Sequence, residues 1–352
     1  MAYQNVGTPR FYVDKLSYVK ALGAGTGTPN GVFDFNPSNQ VTKPANEMQG
    51  FQFNIPNNFP LGKLNFYALL GHTFNGKKGQ IQHKDGSDSA TYWSANAANH
   101  FTYNDIAVNI YNENGYPQPA NNGFSIGGLD VDGDDYPLTK SIMWYYEAAI
   151  EGNVDTDATL GAFLVGEYYN MPHSPDLNLK LTYEYDGVKP IQTKNGSTLS
   201  NAMYTKPADW GSQGAWQLGD NQNYRTGRRT WDLSFSYLAD TDVFPVNASQ
   251  SHSFTIGSED GYHTTTNNPT TGFSDIAADG VSFSSNILDG QDFFSQVWNK
   301  TLGNALPFIF QPDNTNSNPD QFAICKFVGD TLQYDQVSPN VYNIKLKIEE
   351  VW

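Results

Sequence analysis

The segment VYNIKLKIEEVW sets Tyr342, Ile344, Leu346 and Ile348 against Val341, Asn343, Lys345 and Lys347. A period of two sends alternate side chains to opposite faces of a β-strand. The pattern predicts a strand that closes a core, capped by Trp352, in place of the polar fraying common at chain ends. RRTWDLSFSYLAD repeats the alternation through Trp231, Leu233, Phe235 and Tyr237, and FAICKF sets Phe322, Ile324 and Lys326 against Ala323, Cys325 and Phe327. These two segments are the expected partners of the closing strand. In DLNLKLTYEYDGVKPIQTKNGSTLS, Leu177, Leu179, Leu181, Tyr183 and Tyr185 alternate with polar residues, and Asp186-Gly187 and Asn195-Gly196 are tight-turn signals. KLNFYALLGH, HFTYNDIAVNIYNENG, SIMWYYEAAIEGN and TLGAFLVGEYYNMP read as further short strands at sandwich-like spacing. One segment changes period. DGQDFFSQVWNKTLG spaces Phe293, Phe294, Val297 and Trp298 for a helix, with Asp289 or Asp292 as N-cap and Gly303 as its stop.

Three regions follow from these patterns. Residues 1–54 are punctuated by Pro and Asn and read as an extended N-terminal arm lying over another surface. Residues 55–176 form a β-sandwich, and residues 177–352 a second β domain with a long polar loop at 240–289 and a short helix near 290–302. Loops of that length inside a compact domain are usually functional or become ordered against a partner.

Composition sharpens this all-β, mostly antiparallel reading. The 352 residues are 14 % aromatic and rich in Gly, Pro and Asn, which suits pleated faces joined by turns. The net charge of −16 argues against nucleic acid or an anionic membrane as the main partner. The single cysteine, Cys325, excludes an intrachain disulfide, and its place in an apolar strand predicts a buried thiol that behaves as a small hydrophobe. MAYQNVGTPR lacks the basic start and apolar run of a secretory signal, and no apolar stretch reaches membrane-spanning length. A surface-type β protein made in a cytosol suits a virus particle released by lysis, and equally an ordinary cytosolic β protein.

The candidate chemistry is sparse. DVDGDDY sets Asp130, Asp132 and Asp134 at alternate positions, a carboxylate set that a hard cation such as Ca²⁺ would take, although the spacing departs from an EF-hand loop. The alternative is a solvated turn. The six histidines show no HxH, HxxxH or HExxH spacing, and neither a G-x-S-x-G elbow nor a phosphate loop is present. With 36 acidic residues, a pair of carboxylates suited to glycan hydrolysis is uninformative. Trp93, Trp210 and Trp216 lie in Gly/Ser/Asn/Ala-rich segments, where they would stack on sugar rings or anchor loops. YRTGRRTW, with Arg225, Arg228 and Arg229, is the one basic knot in an acidic chain. Arginine forks there suit carboxylates across a subunit interface, or pairing with local acids.

The second region carries a resemblance. RRTWDLSFSYL, a helix, LPFIFQPD, QFAICKF and YNIKLKIEEVW are similar to the closing domain of tail-structure proteins of tailed bacteriophages. There a W-x-L-x-F-x-Y strand, a helix and an F-x-F-x-P strand precede a last strand ending E-V-W/F. LNFYALLGHTFNGKKGQIQ and AFLVGEYYNMP resemble jelly-roll, galactose-binding-like modules of such proteins, except that Thr73 follows His72 where those modules carry Asn, and the arginine of their second motif is missing. The resemblance implies a jelly-roll/β-sandwich domain joined to a tail-type β domain. It also implies a non-enzymatic virion component in the tail, adaptor or baseplate, without a cofactor, whose partners are copies of itself and other virion proteins. A carbohydrate- or receptor-binding adhesin for a host surface glycan, a capsid decoration protein and a glycan depolymerase are the alternatives.

Overall fold

The computed structural model describes residues 6–28, 30–35, 41–43, 51–55, 59, 61–74, 79–85, 123–132, 140–146, 158–184, 190–200, 228–245, 290–317 and 321–351. In chain order the strands of the first half are β1 (Arg10–Asp14), β2 (Thr26–Thr28), β3 (Val41–Lys43), β4 (Phe51–Ile55), β5 (Lys63–His72), β6 (Gly79–Asp85), β7 (Gly123–Asp132), β8 (Lys140–Tyr146), β9 (Ala158–Leu160) and β10 (Ala162–Asn170). Those of the second half are β11 (Lys180–Glu184), β12 (Pro190–Gln192), β13 (Thr198–Ser200), β14 (Arg228–Ala239), β15 (Phe308–Gln311), β16 (Ala323–Phe327), β17 (Tyr334–Ser338) and β18 (Val341–Glu350). Helix α1 (Lys15–Ala21) follows β1, and a single helical turn, α2 (Asp240–Val243), follows β14. The chain is an all-β protein whose paired strands are antiparallel throughout the described residues.

One sheet runs through both halves, in the order β11-β14-β18-β16-β15-β1-β10-β5-β7, with β17 pairing β18 beside β16. A second sheet, β2-β4-β8-β6, faces its first-half end. Successive strands β4, β5, β6, β7, β8 and β10 alternate between these two sheets, which makes the first half a two-sheet sandwich. Phe51, Phe53 and Ile55 of β4 meet Tyr67 and Leu69 of β5 and Phe163 and Val165 of β10 in the space between the sheets, with Leu16 and Val19 of α1 at one end.

On the same face of the large sheet, beyond β1, lies a second core. Phe11 and Val13 join Phe308, Phe310, Cys325, Trp231, Leu233, Ile344, Leu346 and Ile348 there, covered by Phe293 and Val297. The opposite face carries Tyr12, Phe66, Leu70, Leu164, Ile309 and Ile324, with Phe35 and Phe322 packed on them. Five of the strands, β1, β5, β10, β15 and β16, therefore bury apolar residues on both faces, and β1 and β15 are buried almost end to end.

Several expectations change here. The first 54 residues supply the middle of the large sheet: β1 pairs β10 on one side and β15 on the other. The expected boundaries at 54/55 and 176/177 are thus crossed by one hydrogen-bonded sheet. The closing strand pairs β14 and β16 as expected, with Trp231 opposite Ile348 and Cys325 opposite Glu350; Trp352 lies outside the described residues. Tyr237 does not share the inward face of Trp231, Leu233 and Phe235. A β-bulge between Phe235 and Leu238 turns Tyr237 outward at φ 61°, 80 % exposed, and Leu238 takes the buried place. The Tyr237 N–H donates to Asn343 Oδ1 at 3.0 Å, which holds the bulge.

The expected helix near 290–302 is a π turn, Phe294–Trp298, followed by further turns. Asp292 caps it, accepting from Ser295 N at 2.9 Å and Ser295 Oγ at 2.7 Å. Gly303 stops it in the left-handed region, at φ 67°. The polar segment at 240–289 is described only at its start, through α2.

Candidate functional site

Where the two cores on one face of the sheet meet, the sequence places charges. β10 reads AFLVGEYYN, and its register sends Phe163 and Val165 into the sandwich core, Tyr169 toward the second core, and Glu167 between them. Two cations converge on Glu167. Lys15 Nζ, from the first residue of α1, lies 2.9 Å from Glu167 Oε2, and Lys300 Nζ lies 3.9 Å from the same oxygen. The three side chains are 3 %, 7 % and 4 % exposed for Lys15, Glu167 and Lys300.

The remaining donor capacity of the ammonium groups is spent on the surrounding backbone and amides. Lys15 Nζ donates to Leu61 O at 2.5 Å and Lys63 O at 2.6 Å, which fixes the approach to β5. Lys300 Nζ donates to Gln296 Oε1 at 2.7 Å, and Gln296 Nε2 donates to Gly290 O at 2.5 Å. Four chain segments, at residues 15, 61–63, 167 and 290–300, are therefore joined through one buried cluster. A buried charge is costly unless paired and hydrogen-bonded, and these are both.

Asp14 supports the cluster from β1. Its carboxylate accepts from Leu16 N, Ser17 N and Ser17 Oγ, capping α1, and from Val165 N at 3.0 Å across the sheet. Burial nevertheless pushes the Asp14 carboxyl up to about 6, against the pull of these donors. The close approach of β1 to β10 requires a glycine. A Cβ at Gly166 would stand 1.9 Å from Val13 O.

A second buried pair lies within the sheet. Arg229 on β14 and Glu350 on β18 form a forked pair, with Arg229 Nη2 2.9 Å from Glu350 Oε1 and Nε 3.1 Å from Oε2. Arg229 N also donates to Oε2, and Nη2 donates to Phe322 O at 2.9 Å. His72, at the end of β5, is 1 % exposed. Its Nδ1 accepts from Phe74 N at 3.1 Å, so Nε2 carries the proton and donates to Ser125 Oγ at 2.9 Å. Burial lowers its pKa to about 4.

The residues singled out in the sequence fare differently. Arg229 turns its guanidinium inward, onto an acid of its own chain, so its fork is occupied there and not at a subunit surface. Arg228 opens β14 opposite Glu184, and Arg225 lies outside the described residues. Asp130 and Asp132 fall in the last three positions of β7, and Asp134 is outside the described residues. Among the described residues no group of three or more His, Cys, Asp or Glu could hold a metal ion. Trp93, Trp210 and Trp216 also lie outside the described residues. Cys325 is fully buried, and burial raises its thiol pKa well above the usual value, which leaves it an inert core side chain.

Sequence reasoning missed Lys15, Glu167 and Lys300. The available signal was charge inside an aromatic-rich run, Glu167 alone in FLVGEYY and Asp14 with Lys15 in YVDKLSYV; charged side chains are almost never fully buried unless paired. What this arrangement does chemically is brace: it ties strand, helix and loop at fixed positions.

No family model, curated protein or solved structure matches the chain.

Proposed function

We propose that this chain is a non-enzymatic structural subunit of a bacteriophage virion, placed in the tail, adaptor or baseplate and acting by protein–protein assembly. One observation carries the reading. The segments that resemble tail-structure proteins, WDLSFSYL, FIF, AICKF and YNIKLKIEE, are β14, β15, β16 and β18, consecutive neighbours in one sheet. The resemblance therefore follows a folded unit and not scattered words. The two-sheet sandwich of the first half supports the same reading, because a jelly-roll module is also built from two packed sheets. Buried braces at Glu167 and Arg229 suit a subunit that transmits load more than one that must open around a substrate.

The partners are copies of this chain and other virion proteins. The test is mass spectrometry of purified particles from the source that encodes the chain, together with light scattering of the isolated protein across concentration. Presence in particles in several copies is expected. A chain that is missing from particles and strictly monomeric at high concentration would overturn the reading.

A further inference from the structure

β12 and β13 form a hairpin closed by the turn Thr193–Ser197, with Thr193 N donating to Ser197 O at 2.8 Å and Gly196 at φ 82°. The hairpin pairs with no other strand among the described residues. Ile191 and Leu199 stand directly opposite each other, so both project from one face of the hairpin, and they are 65 % and 42 % exposed. Two-stranded hairpins on their own are marginal in water. This one also holds an aliphatic pair in solvent, an arrangement that gains stability only when something covers it.

Charge says what covers it. From Gly187 to Ala208 the sequence contains no Asp or Glu; Lys194 lies in the turn of the hairpin, and Lys189 and Lys206 lie in the flanking sequence, outside the described residues. The chain as a whole has 36 acidic against 20 basic residues, so the acid excess lies entirely outside this stretch. An apolar pair beside Lys194, on a hairpin without a single acidic residue, is complementary to a chain whose net charge is −16.

We infer that the β12–β13 hairpin is an assembly contact that docks onto the acidic surface of a second copy of this chain. The inference rests on the assembly reading above and adds the contact to it. Because the hairpin meets a different patch on its neighbour, the contact is head-to-tail and builds a ring or a stack, not a two-fold dimer.

The experiment uses the full chain. Sedimentation velocity across concentration, at low and at high salt, compares wild type with the double variant Ile191→Ser/Leu199→Ser and with Lys194→Glu. Wild type is expected to self-associate. The double variant should raise the dissociation constant by at least about ten-fold, the scale of two lost aliphatic contacts. Lys194→Glu should raise it less and flatten its salt dependence. Both should keep the wild-type unfolding temperature, since the side chains are exposed.

Equal association of wild type and both variants would overturn the hairpin contact while leaving the assembly reading intact. A wild-type chain that stays monomeric yet is found in particles would overturn the second copy as occupant and point to another virion protein. A chain that is monomeric and missing from particles would remove both readings. A large drop in unfolding temperature in the double variant would show that the pair packs within its own chain, and would also overturn the proposal.

Discussion

Arg229 and Glu350 face each other on adjacent strands, whereas Glu167 gathers Lys15 from α1 and Lys300 from the turns after β14, 152 and 133 residues away. Both clusters are buried, yet their geometry has different origins. The arginine pair is fixed by the register of β14 on β18, and a one-residue slip would remove it. The lysine pair exists only once helix, strand and turn have converged, so it couples the sandwich core to the second core. One is a brace inside a sheet; the other is a brace between packed layers.

Breaking the in-sheet brace should have the largest effect. Deletion of Ile348–Trp352 removes the buried Ile348 and the acid that pairs Arg229. An uncompensated buried arginine costs about 3–5 kcal/mol, and loss of the isoleucine costs roughly 2–5 kcal/mol more. The truncated chain should lose cooperative unfolding or melt far lower. An unchanged melting temperature would show that β18 is dispensable.

Breaking the seam is next. Glu167→Gln leaves two buried ammonium groups without their anion, at a cost of about 3–5 kcal/mol in urea unfolding. Amide exchange should rise in α1 and in the π turn together, whereas Glu350→Gln should raise it in β14 and β16 alone. Identical exchange maps for the two variants would show that the two clusters brace the same unit. Replacing all three residues, as Lys15→Met/Glu167→Leu/Lys300→Met, should recover much of the loss, because well-packed apolar groups avoid the desolvation penalty.

Two titrating groups beside the sandwich core act in opposite directions. Asp14 has its folded pKa raised to about 6, so its contribution is full below the usual carboxyl range and is lost as pH rises to about 6. His72 has its folded pKa lowered to about 4, so its contribution is present above the usual imidazole value and is lost as pH falls to about 4. Between about pH 4 and 6.5 the two oppose each other, each by up to roughly 3 kcal/mol. Measured as differences from wild type, His72→Gln should lose relative stability as pH rises through this window, and Asp14→Asn should gain it. Parallel curves for wild type and both variants would remove the assignment.

The smallest effect belongs to the bulge. Tyr237 is exposed and left-handed, so Tyr237→Asn should be neutral or stabilise by about 0.5–1 kcal/mol in chemical denaturation. A clear destabilisation would mean that the ring has a partner within the chain.

The strands β14 and β18 were legible because one face of each meets the core and the other is polar or less buried along much of its length. β1 was not. RFYVD is apolar on both faces because strands flank it and cores lie above and below it, so it shows no alternation. A short run without period and close to Pro and Gly reads as an arm. The bulge at Tyr237 was hidden for a related reason: a period of two continues through SFSY in the sequence, and only the backbone inserts the extra residue. The site residues were the least visible, since Lys15, Glu167 and Lys300 share no motif and meet only across the fold.

The sequence by itself determined the all-β class, the closing strand and two of its neighbours, the buried thiol and a helical segment that starts at Asp289 or Asp292, because each depends on patterns a few residues long. The tertiary structure alone decided that one sheet runs through both halves, that the first strand sits at its centre, and that three distant charges share a seam. Those outcomes depend on which surfaces are covered and which charges are left to pair, and burial is a property of the whole chain, not of any segment.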